Sequence, residues 1–394
     1  MISFQSFSKE IDELDLVVRQ FEDEIKAHTL FTNTCGVVYA SHEADIAELT
    51  GRLSKTFDFP FIGCTGLGIL NSEGYADEQI SLLVLTASDC EFGVALCDGL
   101  SEADTEEKLG KAYDEARSRL PEKEKVIISY MPWNFDISYD KVVATLDRLS
   151  EGVPVFGGVS SDTWSFTETL VFTNGKVSRD GAVMLLISGN IDPILRMEQS
   201  VVPVPRTTGK VTKASGKIVY EIEGITAENY LANKGILPVK TSVMDGFLVA
   251  PFIVSREEDG EKISTLGTLD HVDQENGSCG FVGNIDEGSE ITLSYISKDE
   301  MSKSVNTFLD KLISDMKKEG TGKYSTILCS SCASRYCLIV ADKSTEARGY
   351  VGKLPENVNF QGVYLFGEFC PGKGGKSGRY YNRFNNETFA ILAF

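Results

Sequence analysis

Histidine is scarce in this chain, with three residues in 394. His28, His42 and His271 are too few and too scattered for a paired-histidine metal site. Positive charge is also short: 38 Lys and Arg stand against 58 Asp and Glu, a net charge of −20. A surface that acidic repels phosphate backbones and anionic lipid, which excludes a nucleic-acid-binding role. No run approaches the roughly 18 apolar residues that a spanning helix requires, so no membrane insertion is expected. The opening residues, MISFQSFSKEIDEL, lack the basic and apolar regions of a secretory signal. The expected location is the cytoplasm. GxSxG, HExxH, an EF-hand loop and a dinucleotide fingerprint are all absent, so a binding protein is expected rather than an enzyme.

Nine cysteines are present, an odd number without a regular framework. They read as reduced thiols. Cys64, Cys90 and Cys97 sit in or beside apolar runs and read as small buried hydrophobes. Cys329, Cys332 and Cys337 make a CxxCx4C pattern, which is half of a zinc motif with no second CxxC. CPGKGGKS (370–377) ends like a phosphate-binding loop in Gly375, Lys376 and Ser377. Cys370 stands where the first glycine belongs, and no helix is expected after it. A surface turn fits better, although Lys373, Lys376 and Arg379 could attract an anion.

What the chain does hold is an internal repeat. In the first unit, Ile11, Leu14, Val18, Phe21 and Ile25 keep helical spacing; CGVVYA (35–40) is a buried strand; Ile46, Leu49 and Leu53 mark a second helix. FPFIGC (59–64) is a second strand ending in the small-residue turn TGLG, and ISLLVLTA (80–87) closes the unit. The second unit repeats the order with Leu109 to Leu120, VIISYM (126–131), Asp140 to Ser150, VPVFGG (153–158), a hairpin at TLVFTNGKV (169–177) with an Asn-Gly turn, and GAVMLLIS (181–188). The third runs through Val305 to Met316, STILCS (325–330), a weaker helix over 342–353, VYLFGE (363–368) and TFAILAF (388–394). Between units two and three, 201–216 is rich in Pro, Gly and Thr and reads as a boundary. A short helix over 226–234, a strand at 246–255, a polar loop around His271 and a strand at 289–297 suggest an antiparallel sheet added to the third unit. The fold class expected is α/β, mixed α+β, in two domains, 1–205 and 206–394, with mixed sheets covered by helices. Ligands in such folds bind beyond the carboxyl ends of strands.

SSCASR (330–335) follows directly on a buried strand. An arginine there must pair with a carboxylate or clamp an anionic ligand. Glu368, at the end of the neighbouring strand, is the expected partner if the pair is structural. Asn382, Asn385, Asn386 and Thr388 crowd the last segment, and their polar groups suit a small polar ligand or turns.

Taken together, FPFIGCTGLG (59–68), VPVFGGVSSD (153–162), TLVFTNGKVSRDGAVMLLISG (169–189), SSCASR, VYLFGEFCP (363–371) and NNETFAIL (385–392) resemble the FIST family, in the family's order over nearly the whole chain. The resemblance implies ligand sensing in signal transduction, with amino acids or other small anionic metabolites as ligands. It also implies a signalling partner such as a kinase or chemotaxis protein. Some members resemble haem-dependent nitric oxide sensors, which makes His42 the first axial candidate, with Cys332 next. The expected site takes Cys332, Arg335, Glu368, Asn382, Asn385 and Asn386 from one side, and Gly157, Gly158 and Asp162 from the other. The rival is a thiol-dependent enzyme with Cys332 as nucleophile.

Overall fold

The computed structural model describes residues 1–134, 136–235, 250–258, 260–320, 323–373 and 380–394. The first unit comprises β1 (Ile2–Ser8), α1 (Leu14–Lys26), β2 (Asn33–Ser41), α2 (Ile46–Thr56), β3 (Phe61–Gly66), β4 (Ile69–Asn71), β5 (Gly74–Ala76) and β6 (Ile80–Ala87). The second repeats it as β7 (Cys90–Cys97), α3 (Thr105–Arg117), β8 (Val126–Met131), α4 (Tyr139–Ser150), β9 (Val155–Val159), β10 (Val171–Thr173), β11 (Lys176–Ser178) and β12 (Ala182–Gly189). The third opens on β13 (Ile194–Glu198) and is then interrupted. An inserted antiparallel sheet holds β14 (Val202–Pro203), β15 (Gly209–Ser215), β16 (Ile218–Ile222), β17 (Ile225–Thr226), the helix α5 (Ala227–Asn233), β18 (Phe252–Glu258), β19 (Glu261–Gly267), β20 (Leu269–Asp273), β21 (Ser278–Phe281) and β22 (Glu290–Tyr295). The third unit resumes with α6 (Lys298–Glu319), β23 (Thr326–Cys332), α7 (Ala333–Ile339), β24 (Asn359–Leu365), β25 (Glu368–Phe369), β26 (Gly372–Lys373), β27 (Tyr380–Tyr381), β28 (Phe384–Asn385) and β29 (Phe389–Ala393).

The three units build three sheets of one design, β1-β6-β2-β3-β10-β11, β7-β12-β8-β9-β25-β28 and β13-β29-β23-β24-β4-β5. In each, a parallel pair crosses over through a helix, as the sequence order implied. The arm that follows the second strand does not stay at home. β4 and β5 of unit one join β24 of unit three; β10 and β11 of unit two join β3 of unit one; β25 and β28 of unit three join β9 of unit two. The ring of exchanges is closed. TGLG, expected to be a turn, is where the chain leaves one sheet for the next. The hairpin at 169–177 forms as expected, with Asn174 and Gly175 both at positive φ.

Strand alternation explains the near-continuous apolar runs. Val37 and Tyr39, Ile128 and Tyr130, and Leu328 and Val363 face a central core shared by all three units. Val38 and Ala40 face the outer helices of unit one, and Ile127 and Met131 those of unit two. The hydroxyls of Tyr39 and Tyr130 meet in that central core. Asp45, Ser138 and Ser297 cap α2, α4 and α6 through the backbone N–H three residues on.

Several expectations are corrected. The edge strands β1, β7 and β13 add to the expected elements, although β7 does carry alternation, at Cys90, Phe92, Val94 and Leu96. The third unit's second helix is at 333–339, not 342–353, where only a 3-10 turn at Ala347–Gly349 forms. Ala333, Tyr336 and Ile339 give the earlier segment a buried stripe, whereas Gly349 and Gly352 weaken the later one. LDHVD is strand β20 rather than loop. Residues 246–249 of one expected strand, and Gly375, Lys376, Ser377 and Arg379 of the glycine-rich turn, lie outside the described residues. Among the described residues, no helix is long and apolar enough to cross a membrane.

Gly158 sits where β9 meets the donated β25; a Cβ there would lie 2.2 Å from the Gly367 carbonyl oxygen. Gly158→Ala is expected to cost more than about 2 kcal/mol in urea unfolding. Gly51→Ala, in open space on α2, should gain roughly 0.5–1 kcal/mol.

Candidate functional site

The register of the three exchanged arms shows where the molecule departs from its own symmetry. From Cys64 to Ile69, and from Val363 to Glu368, the chain advances five residues between one sheet and the next. From Gly158 to Val171 it advances thirteen. The longer crossover is organised by Asp162, which is fully buried. Its carboxylate accepts from the Ser165 hydroxyl (2.7 Å) and from the backbone N–H groups of Phe166 (3.1 Å), Thr167 (2.9 Å) and Glu168 (3.0 Å). Burial works to raise its pKa, but these donors, Glu168 foremost, outweigh burial and hold the carboxyl below its usual range.

What the crossover carries is a pair of rings. Trp164 and Phe166 both have positive φ, 66° and 58°. For residues this bulky, each such conformation costs on the order of 1–3 kcal/mol. The strain places them against Trp133, which follows β8, and Phe366, which follows β24. Ring centroids lie 5.0 Å apart for Trp133–Phe166, 5.6 Å for Trp133–Phe366, 5.0 Å for Trp164–Phe366 and 4.8 Å for Phe166–Phe366.

These four rings form one wall of a cavity of about 200 Å³ at the junction of units two and three. Its floor is Cys332, Ala333 and Ser334, at the end of β23, together with Asn386. The inserted sheet closes it with Lys217, Ile218, Thr268, Asp270, His271, Gly280, Phe281 and Val282. The cavity therefore lies beyond strand carboxyl ends, where α/β folds place ligands. Lys217 contacts the Ile137 carbonyl (3.4 Å) and lies over the Tyr139 ring. Burial lowers its pKa against the pull of Asp140, Asp270 and Glu102. The His271 ring lies against Gly280, where a Cβ would fall 2.2 Å from it, and its Nδ1 is 3.0 Å from Asp270.

Of the residues singled out in sequence, Cys332 and Asn386 line this cavity. Burial first, then the Glu368 carboxyl, push the Cys332 thiol well up, against a hydrogen bond from the Ser334 hydroxyl at 3.1 Å. Such a thiol is a poor nucleophile. Behind it, Glu368 is fully buried. Its Oε2 accepts from the Thr388 backbone N–H (3.2 Å) and hydroxyl (2.7 Å), and burial pushes its pKa up to about 8. Glu387, buried at φ 58°, accepts from the cavity-lining Thr268 at 2.9 Å, and burial raises its pKa well above normal.

Arg335 does not face the cavity. It is fully buried, and its partner is Glu346 (2.8 Å), not Glu368. Glu368 has crossed into the second unit's sheet, out of a structural pairing with Arg335. Glu346 also accepts from Ser331 and Tyr364, so the ion pair is embedded in a hydrogen-bonded layer under the floor. Asn382 holds the start of β9, accepting from the Val155 N–H and donating to the Val153 carbonyl and Asp147. Asn385 donates to the carbonyls of Cys370 and Arg383. Gly157 and Gly158 are inside β9, where they admit the Ser129 and Gly367 carbonyls. Cys329 and Cys332, three apart in one strand, project to opposite faces and cannot grip one metal. Among the described residues, no cluster of three His, Cys, Asp or Glu could hold a metal ion.

Haem does not fit these residues. His42 is not among the cavity's lining residues. Its Nδ1 is buried without a hydrogen-bond partner, and its Nε2 is 3.9 Å from Glu43.

Sequence reasoning missed the aromatic wall and Lys217. The available signal was that both tryptophans of the chain fall just beyond the carboxyl ends of two paired strands, in MPW and in SSDTW.

The family model of the FIST N domain matches residues 34–225, and that of the FIST C domain matches residues 230–371. An uncharacterized protein of Methanocaldococcus jannaschii is 26% identical over 179 residues, covering 43% of this chain and 34% of its own length. The chain thus spans about a third of the curated relative it matches. Among solved structures, a cyanuric acid hydrolase aligns over 100% of this chain and 99% of its own, at 9% identity and a TM-score of 0.38. A second, from A. caulinodans, covers 99% and 98% at 6% identity and a TM-score of 0.35. Likenesses this low carry no argument about fold or chemistry.

Glu368 supplies a pH test. Below its ordinary value of 4.5 the carboxyl is neutral in both folded and unfolded chains. As pH rises towards 8, the unfolded chain ionises while the folded one keeps its proton, so stability falls. Glu368→Gln, neutral throughout, should therefore gain on the wild type by roughly 2–4 kcal/mol between pH 5 and pH 8, read from urea midpoints at each pH. An unchanged difference would mean that Glu368 is ionised in the fold.

Proposed function

Because the chain belongs to the FIST family, whose domains are small-ligand sensory domains of signalling proteins, we propose that it senses a small metabolite in the cavity between its second and third units. The observation that carries this reading is the strained aromatic crossover. Of the three crossovers between sheets it is the one that is lengthened, and its length is used to line a cavity. The ligand is of amino-acid size, with a carboxylate set against Lys217 and a cationic group against Asp270. Cys332 and Asn386 touch it. Asp162 positions the aromatic wall, and Glu368, Arg335 and Glu346 stiffen the floor. Asn382, Asn385, Gly157 and Gly158 act at one remove, holding β9 and the donated arm in place.

The inserted sheet supplies the cavity's far wall and is the element whose position a ligand would bias. A partner protein, such as a kinase or a chemotaxis protein, would read that position. All nine cysteines are free, which suits a reducing cytoplasm.

A thermal-shift screen of the full chain against amino acids, small carboxylates and amines tests the reading. A ligand at 100 times its Kd adds about 2.7 kcal/mol of stability. The expected result is a selective shift that Lys217→Ala reduces at least tenfold in affinity. Absence of any shift across all classes would remove the sensor reading.

A further inference from the structure

The site's chemistry narrows its ligand further, on the premise that the cavity is the sensing site. From the four rings, the cavity's size and its balanced charges, we infer that the ligand carries a planar aromatic ring and no net charge. Both tryptophans of the chain stand on this wall with Phe166 and Phe366. Ring faces attract other rings in stacked or edge-on geometry beyond what burial alone provides. An apolar cavity of about 150 Å³ holds a benzene molecule, so one of about 200 Å³ has room for one ring and a short polar head.

The charges point the same way. Lys217 and Asp270 face the cavity from the same sheet with opposite charges, and the His271 ring beside them is held at Asp270. A purely anionic ligand meets Asp270, the carboxylate among the cavity's lining residues. A purely cationic ligand meets Lys217. A ligand whose own charges cancel meets neither penalty. Trp164 keeps a φ of 66° on a crossover pinned by four donors to Asp162, backbone strain of the kind that clusters at ligand sites.

The test uses the full chain and its own two tryptophans as reporters, excited at a wavelength that phenyl probes do not absorb. Phenylalanine, cyclohexylalanine, 3-phenylpropionate, phenethylamine and leucine are titrated in turn. Phenylalanine is expected to change the emission saturably. Cyclohexylalanine, of matched length but without a flat ring, should bind about tenfold more weakly, as should the two singly charged phenyl probes. Trp164→Gly removes the ring while relieving the positive φ, so the protein should fold normally, with an unchanged urea midpoint or a higher one. Its affinity for phenylalanine, read from Trp133, should fall at least tenfold.

Equal binding of cyclohexylalanine, tighter binding of either charged probe, or full affinity in Trp164→Gly would overturn the inference. If leucine or a carboxylate from the thermal-shift screen binds and phenylalanine does not, the sensor reading stands and the aromatic ligand falls. If nothing binds in either experiment, both fall.

Discussion

Each second parallel strand in this fold has one edge that its own unit cannot pair. β3, β9 and β24 would each expose a row of N–H and C=O groups in the interior of the molecule, where leaving them unpaired is costly. The arm borrowed from another unit satisfies that edge, and everything else follows from it. The exchange brings the three sheets face to face over one core. It sets Ser161 of unit two between the Tyr364 carbonyl of unit three, to which its hydroxyl donates, and the Leu67 N–H of unit one, from which it accepts. It also brings the carboxyl ends of strands from units two and three together at the cavity.

Much of this was legible in the residues. Nearly every core helix and strand of the three units appears as an apolar run or a helical stripe, because those elements are buried on one or both faces. What the sequence could not reveal was which sheet each arm joins. VFTNGKV specifies a hairpin by its turn chemistry, but nothing local says that Val171 pairs with Cys64 rather than with its own unit. Pairing at that distance depends on tertiary packing. β1 and β13 are edge strands with little apolar alternation, whereas β7 carries it at Cys90, Phe92, Val94 and Leu96 and was legible. The helix at 333–339 was displaced to 342–353 because its first residues read as the end of a strand.

The site shows the same division. Cys332, after a buried strand, and Asn386, in the polar last segment, both line the cavity, whereas Asp162 lies beneath the crossover that carries its aromatic wall. Arg335 is buried against a carboxylate, one of the two readings open to SSCASR, but its partner Glu346 comes from a segment with no motif around it. The aromatic wall escaped because single tryptophans in loops look unremarkable until the fold gathers them. Lys217 escaped because it lies in the inserted sheet, whose strands are short and polar. The position of the cavity in this family fold thus depends on the part of the chain least like the repeats.

The closed exchange has a consequence for how many units such a molecule can have. In linear arrays, each repeat touches only its neighbours, and copies can be added or lost at the ends. Here an added or deleted copy would hand the arms round a ring of a different size, and the core that the three sheets close over would have to be rebuilt. The count is therefore tied to the core that three sheets enclose, and the described residues show diversification as insertions: the sheet between β13 and α6, the crossover through Trp164, and the β26–β27 segment between β25 and β28.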